Sequence, residues 1–134
     1  MQGLAEHARQ TMIAMSTGDV ATLAAHLDPE VVWHLPSSLG RYGLPIRTIG
    51  SAPVLAMAAA FAGFFRTLTP TIDSAVADAQ TAAVLLRMNG TTLDDRVYDN
   101  IYSFWLRFDG DLVVEGRELT DTTHAADFFQ LKAQ

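Results

Sequence analysis

The sequence contains no cysteine and no long uninterrupted hydrophobic run, and its few charged residues are mostly acidic. The lack of cysteine excludes disulfides, thiol nucleophiles and thiolate metal sites, and it permits a reducing compartment, so we expect a cytoplasmic protein. The longest apolar stretch, residues 54–65, is interrupted by Gly63 and is too short to span a bilayer. A formal net charge of −6 without a basic cluster argues against nucleic-acid binding.

The length and composition indicate one domain spanning residues 1–134, because no repeat, linker or low-complexity segment interrupts the chain. A chain of this size buries about two-thirds of the surface of its unfolded state, which is enough for a core and a pocket. Its apolar share of 49% is typical of a globular protein.

Hydrophobic periodicity places helices early in the chain and strands late. Helices are predicted over residues 2–16, 20–27 and 51–66, with a short strand at 30–35 and a long loop at 36–50. Strands are predicted over 71–78 and 82–89 and in a hairpin over 98–121, followed by a closing helix at 124–132. This order predicts an α+β fold in which the helices pack on one face of a curved antiparallel sheet.

The hairpin carries the most informative pattern in the chain. Its turn is Asp109-Gly110, a pair that favours a tight hairpin turn. Alternation places an aromatic row on one face, and if Leu112 and Val114 join that face, Glu118 is carried toward the core with them. A lone carboxylate in that position is costly unless it is paired or protonated.

The strand at 82–89 offers partners for this carboxylate. Arg87 and Asn89 share one of its faces, while the other face is wholly apolar. If the polar face lines the pocket, Arg87 keeps Glu118 ionised as a base and Asn89 holds a ligand oxygen. An ion pair with only a structural role is the alternative interpretation of Arg87 and Glu118, and Asp121 is expected first of all to cap the closing helix.

Several short motifs together resemble the nuclear transport factor 2-like (NTF2-like) superfamily, and most of all its SnoaL-like polyketide cyclase group. They are Gly18-Asp19, Trp33-His34-Leu35-Pro36, Gly50, the residues Tyr98, Asn100 and Tyr102, Phe108-Asp109-Gly110, and residues 115–118 followed by Asp121. The resemblance implies a conical half-open barrel, a curved antiparallel sheet wrapped around three N-terminal helices with a short C-terminal helix. It also implies a deep apolar pocket and a homodimer through the outer face of the sheet.

The same resemblance links the chain to the ketosteroid isomerases and the limonene-epoxide hydrolases, with departures at specific positions. Arg87 and Glu118 match the arginine and the base of the epoxide hydrolases, but Asn89 stands where their acid is needed. Leu35 and Phe104 stand where the isomerases carry their two functional carboxylates. A SnoaL-like cyclase needs a single acid/base carboxylate, which Glu118 or Asp121 can supply. The resemblance also favours Trp33 as the inward residue, which leaves His34 outside.

We therefore expect an enzyme of isomerase, cyclase or dehydratase type that performs carboxylate acid/base chemistry on a hydrophobic, carbonyl-containing ligand. Glu118, Arg87 and Asn89 are the predicted catalytic residues, and no metal or organic cofactor is implied. The predicted pocket residues are Trp33, Leu35, Tyr98, Asn100, Tyr102 and Phe104.

Three alternatives stay open at this point: a ligand-binding or accessory domain without catalysis, an epoxide hydrolase-like water addition, and a protein-interaction module. The last would use an outer sheet face formed by Val84, Leu86, Met88, Ile101 and Trp105.

Overall fold

A computed structural model describes residues 3–134, so the predicted helix start at Gln2 lies outside the described residues. The helices are α1 (Leu4–Thr17), α2 (Val20–His26), α3 (Ser51–Ala62) and α4 (Thr122–Phe128), with a 3-10 helix at Ser37–Tyr42. The strands are β1 (Leu27–His34), β2 (Arg47–Ile49), β3 (Phe65–Ala77), β4 (Thr81–Thr92), β5 (Val97–Asp109) and β6 (Leu112–Thr120).

The six strands form one curved, unclosed sheet in the order β2-β1-β6-β5-β4-β3. Neighbouring strands are antiparallel except β1 and β6, which run parallel. The three N-terminal helices and the short C-terminal helix complete the half-open barrel, which confirms the predicted α+β fold. Within residues 3–134, no helix combines the length and the apolar composition that crossing a bilayer requires.

Local sequence signals fix the N-terminal helices. Gly18 ends α1 in a left-handed conformation with φ of 73°, which glycine adopts without strain. The side chain of Asp19 then caps α2 by accepting the Thr22 backbone N–H at 3.2 Å. Helix α1 lies on the sheet and buries Ala8 and Met12 against it. The aromatic face predicted for the hairpin is buried, as Tyr98, Tyr102, Phe104, Leu106 and Phe108 show.

Several predicted boundaries change because strand pairing overrides local helix propensity. The third helix ends at Ala62, since Phe65 and Arg66 join β3, where Phe65 pairs with Thr92 of β4. The predicted loop at 36–50 contains the 3-10 helix and the short strand β2, which pairs with β1. The closing helix begins at Thr122 and ends at Phe128, so it is shorter than predicted.

The two faces of β4 are the reverse of the prediction. Val84, Leu86 and Met88 are buried in the core, whereas Arg87 and Asn89 are exposed on the outer face. The apolar row gains hydrophobic free energy against the helices, and the polar row keeps its hydration. The outer interface predicted from Val84, Leu86 and Met88 is therefore wrong.

A β-bulge changes the face of the first part of β6. Phe108 pairs with Val113 and Arg107 pairs with Glu115, so Val114 is an extra residue on the β6 side. Val113, rather than its two neighbours, is consequently the buried residue before the bulge. The expected inward position of Leu112 and Val114 is therefore wrong, because the bulge gives the inward place to Val113. Beyond the bulge, Glu118 pairs with Phe104 and shares its inward face, as expected.

Candidate active site

A cavity of about 340 Å³ lies between the helices and the inner face of the sheet. Four polar side chains line it: Ser16, Tyr102, Glu118 and Thr120. The other lining residues are apolar, among them Met15, Leu35, Met57, Ala58, Phe61, Phe64, Met88, Phe104 and Ala125. A cavity of this size and character suits a compact hydrophobic ligand that presents a small number of oxygen atoms.

The loop after β1 and the segment after α4 meet at this cavity. Leu39, Leu44, Phe129 and Leu131 are their contributions to its wall. The backbone N–H of Gln134 donates to the carbonyl of Arg41 at 2.8 Å, and the Ser38 hydroxyl donates to Thr122 Oγ1 at 3.1 Å. These hydrogen bonds hold together two segments that are distant in sequence.

Glu118 is held in place by Trp33. The indole N–H of Trp33 donates to Glu118 Oε1 at 2.9 Å, and the two strands that carry them, β1 and β6, are paired in parallel. The indole ring is fully buried and lies directly against Gly116, which pairs with Trp33. A Cβ atom on Gly116 would lie 2.2 Å from Cζ3 of that ring, so only glycine leaves room for it.

The environment of Glu118 favours its neutral form. Burial raises the pKa of the Glu118 carboxyl to about 7, and the hydrogen bond from Trp33 acts in the opposite direction. No charged neighbour among residues 3–134 contributes to this shift. Near neutral pH the carboxyl is therefore poised between its acid and its base form, which is the range that suits general acid/base catalysis.

Removing the indole N–H tests this arrangement. In Trp33→Phe we expect the pKa of the Glu118 carboxyl to rise further, because the donor that stabilises the carboxylate is lost. Carbon-13 NMR titration of the carboxyl measures it, with Trp105→Phe on the outer face as the control. If the pKa of the Glu118 carboxyl in Trp33→Phe were unchanged or lower, the indole N–H would not be what stabilises the carboxylate.

A second hydrogen-bonded group lies beside the carboxylate on β5. The hydroxyls of Tyr98 and Tyr102 are 2.7 Å apart, and Asn100 Nδ2 donates to the Tyr98 oxygen at 2.9 Å. Either hydroxyl can donate in this pair. Because Tyr98 is fully buried and already accepts from Asn100, we infer that it donates to Tyr102, which leaves the Tyr102 hydrogen for the cavity. Burial raises the pKa of both phenols, so both remain neutral donors.

The amide of Asn100 is committed to structure. Besides the bond to Tyr98, its Nδ2 donates to the Asp121 carbonyl at 3.1 Å, and its Oδ1 accepts the Ile101 backbone N–H at 2.8 Å. Of the predicted pocket residues, Leu35, Tyr102 and Phe104 line the cavity. Trp33, Tyr98 and Asn100 lie behind this wall and orient residues within it.

The predicted association of Glu118 with Arg87 and Asn89 is wrong. Arg87 lies on the outer face of β4, where its guanidinium donates to Asp99 Oδ1 at 2.9 Å. Asn89 is exposed on the same face and pairs in register with Asp99. The alternation of β4 directs both side chains away from the cavity, because the apolar row takes the inner face.

His34 and Asp121 also lie outside the cavity. His34 Nε2 is 2.8 Å from Glu115 Oε2 on the outer side of the β1–β6 pair, and this hydrogen bond lowers the pKa of the Glu115 carboxyl. Asp121 caps α4, as predicted, by accepting the His124 backbone N–H at 3.1 Å. Glu118 is thus the carboxyl group among these candidates that reaches the cavity.

Sequence reasoning missed Ser16 and Thr120 as polar wall residues. Ser16 follows the buried Met12 by four positions, so the two side chains lie on the same face of α1. Thr120 follows Glu118 by two positions and shares its strand face for the same reason. Both signals were present, but a hydroxyl in an apolar stripe is easily taken for part of the core.

An open groove of about 620 Å³ lies on the outer side of the same strands. Its wall includes His34, Arg47, Ser103, Trp105, Arg117 and Leu119, and Leu35 and Glu118 border it as well as the cavity. The cavity remains the better candidate active site, because its wall is mostly apolar and it brings the Tyr102 hydroxyl to the same space as the Glu118 carboxyl.

Solved structures of NTF2-like proteins share this architecture. One NTF2-like protein of unknown function, from Burkholderia pseudomallei, is 20% identical with a TM-score of 0.79, covering 95% of this chain and 97% of its own. IdmH from Streptomyces antibioticus, described as a candidate polyketide cyclase, is 19% identical with a TM-score of 0.77, covering 97% and 100%. A candidate isomerase from Rhodopseudomonas palustris is 16% identical with a TM-score of 0.78, covering 97% and 98%.

At these identities the likeness establishes the NTF2-like fold. No curated protein matches the chain significantly in sequence. The model of the SnoaL-like domain matches residues 8–116. The chain therefore belongs to the SnoaL-like domain family, in agreement with the resemblance found in its motifs. This membership is consistent with an enzyme-like role toward small molecules.

Proposed function

We propose that the protein is an enzyme that transfers a proton beside a carbonyl group of a hydrophobic ligand, with Glu118 as the acid and base. The observation that carries this proposal is the Glu118 carboxyl in the wall of an apolar cavity, with its pKa raised to about 7. Carboxyl groups tuned to this range are typical of general acid/base catalysts.

The proposed step balances within the active site. The Glu118 carboxylate removes a proton from the carbon next to the ligand carbonyl, and the electron pair of the broken C–H bond moves into the enolate. The resulting carboxylic acid returns that proton to another carbon or to an oxygen of the same ligand. When a C=C bond is conjugated with the enolate, return of the proton to the far carbon gives isomerisation. When the enolate carbon attacks a second carbonyl of the ligand, the acid protonates the alkoxide that forms, which gives cyclisation. When the C–O bond of a β-hydroxyl breaks, the acid protonates the leaving oxygen to water, which gives dehydration.

Tyr102 is suited to stabilise the enolate oxygen. Its hydroxyl lines the cavity, and the hydrogen bond from Tyr98 leaves its own hydrogen available to a ligand. Trp33 acts through Glu118 as a positioning residue, because its N–H fixes one carboxyl oxygen. Leu35 and Phe104 supply apolar wall that keeps water from the enolate.

An epoxide hydrolase-like reaction has no support in the same site. That route needs an arginine and a second acid beside the base, whereas Arg87 and Asn89 lie on the outer face. The names of two structural neighbours, a candidate polyketide cyclase and a candidate isomerase, agree with proton transfer in place of water addition.

Solvent exchange tests the proposal directly. With bicyclic ketones such as 2-tetralone in D₂O, we expect the protein to accelerate deuterium incorporation next to the carbonyl. We also expect the pKa of the Glu118 carboxyl, followed by carbon-13 NMR, to move when the ketone binds. Binding that leaves the exchange rate at the protein-free value would favour a ligand-binding or accessory domain of the same fold. A carboxyl pKa near 4.5 would remove the basis of the proposal.

We further propose that the protein is a homodimer through the outer face of the sheet. Leu85, Ile101, Trp105 and Leu119 expose apolar surface on the outer face of β4, β5 and β6. Ser103 pairs with both Leu85 and Leu119, so these side chains form one continuous patch.

Light scattering after size-exclusion chromatography checks the dimer. We expect twice the mass of the 14.6 kDa chain, and we expect Ile101→Glu to give the monomer, because a charge would be buried in the interface. Val20→Glu, at an exposed position in the first turn of α2 and not on the sheet, is the control. A wild-type monomer across the micromolar range would overturn the proposal.

A further inference from the structure

Ser16 is a buried polar residue without a structural role in the fold. Only 2% of its surface is exposed, and its Oγ has no hydrogen-bond partner within residues 3–134. The side chain belongs to the wall of the cavity. An unpaired buried hydroxyl costs stability, so its presence calls for a partner that is supplied from the cavity.

The same helix shows the bond that a hydroxyl of α1 forms to the backbone, even at Thr11, whose Oγ1 also lies 2.6 Å from His26 Nδ1. Thr11 donates to the carbonyl of His7 at 2.9 Å, and Thr17 donates to the carbonyl of Ile13 at 2.7 Å. Both are the usual bond of a helical serine or threonine to the carbonyl four residues earlier. Ser16 does not form it, although it lies in the same regular helix between these two residues.

The position of Ser16 relative to the other polar groups defines the ligand it suits. Tyr102, Glu118 and Thr120 lie together on β5 and β6, and Tyr102 pairs with Thr120. Ser16 lies on α1, in the helical layer, and Met15, Met57, Ala58 and Phe61 of the helices supply apolar wall. A ligand that satisfies both layers carries two oxygen functions separated by an apolar body.

We propose that Ser16 is a specificity-determining contact that selects hydrophobic carbonyl compounds bearing a second oxygen, a hydroxyl or a carbonyl, remote from the reacting carbonyl. This inference rests on the proposed function for the identity of the first oxygen, the carbonyl beside Glu118. The hydroxyl of Ser16 donates to the second oxygen, or accepts from it, and thereby fixes which end of the ligand faces the carboxyl group.

Affinity measured without turnover tests the inference. The probes are 2-tetralone and its 5-, 6- and 7-hydroxy derivatives, and the readout is the Kd from NMR titration. In the wild type we expect at least one hydroxy derivative to bind about tenfold more tightly than 2-tetralone. In Ser16→Ala we expect this preference to fall to about onefold, with the Kd of 2-tetralone unchanged or lower.

Thr17→Ala is the matched control, because its hydroxyl is already bonded within the helix; it should keep the wild-type preference. A preference that survives in Ser16→Ala, or the absence of any preference in the wild type, would overturn the inference, as would the failure of every probe to bind. Failure of the proposed function would give a different result: the ketones would bind with the Ser16-dependent preference, but the protein would not accelerate their deuterium exchange. A folded Ser16→Ala, checked by circular dichroism, keeps the comparison valid.

Discussion

Replacing Glu118 with glutamine is expected to lower the rate of deuterium exchange into a bound ketone by about 100-fold to 10,000-fold. The amide has nearly the shape of the carboxyl group and can still accept the Trp33 N–H at Oε1, so the cavity should keep its form. It can neither take up nor release a proton near neutral pH, so the acid/base step loses its catalyst.

Glu115→Gln is the control for this experiment, because Glu115 lies on the same strand but binds His34 on the outer side. We expect its exchange rate to stay within about threefold of the wild type, since it does not face the cavity. Equal losses in the two variants would point to a general disturbance of β6. Full activity in Glu118→Gln would show that Glu118 is not the base.

The same substitution should change how stability depends on pH. The pKa of Glu118 rises from 4.5, its ordinary value, to about 7 in the folded protein. Between these values the folded state binds more protons than the unfolded state, so the free energy of unfolding falls as pH rises, by at most about 3 kcal/mol. Glu118→Gln removes this loss, and we expect it to be more stable than the wild type at pH 8. Urea unfolding at pH 4.5 and pH 8 measures the difference.

Gly116→Ala is expected to destabilise the protein by about 3 kcal/mol, because the added methyl group overlaps a rigid, fully buried ring. The Cβ would lie 2.2 Å from Cζ3 and 2.3 Å from Cε3 of Trp33. To relieve the overlap, either β6 must move away from β1 or the indole must turn. Either movement separates the indole N–H from Glu118. We therefore expect a loss of exchange activity together with a decrease of roughly 10 °C in Tm.

Two further variants separate this clash from other effects of alanine. Gly40→Ala is the control, since a Cβ at Gly40 would make only van der Waals contacts with Ile46, the nearest at 3.4 Å, and its stability should be nearly unchanged. Combining Gly116→Ala with Trp33→Leu removes the ring, so the two costs should be much less than additive in calorimetry. Additive losses would show that the indole is not what excludes a side chain at Gly116.

Local patterns in the sequence predicted much of the fold and the inward position of Glu118 at the candidate site. Alternation in β5 predicted the buried aromatic face, because that face depends only on the period of a strand. Glu118 also faces inward as expected, whereas Leu112 and Val114, which were expected on the same face, do not. The bulge at Val114 could not be predicted in this way, since it depends on pairing with β5. Alternation alone does not indicate which face of β4 points inward. The expectation that Arg87 pairs with Glu118 placed the polar face inward, which is wrong.

The environment of Glu118 could not be predicted from the sequence, because the residues that form it are distant from one another along the chain. A carboxyl group in a cavity is commonly expected to pair with a cation. The group that binds Glu118 is instead the indole N–H of Trp33, and burial determines the charge state of the Glu118 carboxyl. That contact requires the parallel pairing of β1 with β6, which no local pattern in either strand indicates. The proposed role of Ser16 likewise depends on the cavity beside the last turn of α1, which residues distant in sequence form.

The parallel pairing of β1 with β6 also has a consequence for how the protein folds. It joins Trp33 to Glu118 across 85 positions of the chain, so a loop of that length must close before the carboxyl can be buried. The hairpins β3–β4 and β4–β5 close far shorter loops and can form earlier. We therefore expect the candidate site to form late in folding, and a chain on the ribosome that still lacks β6 to have a partial core without the Glu118 carboxyl.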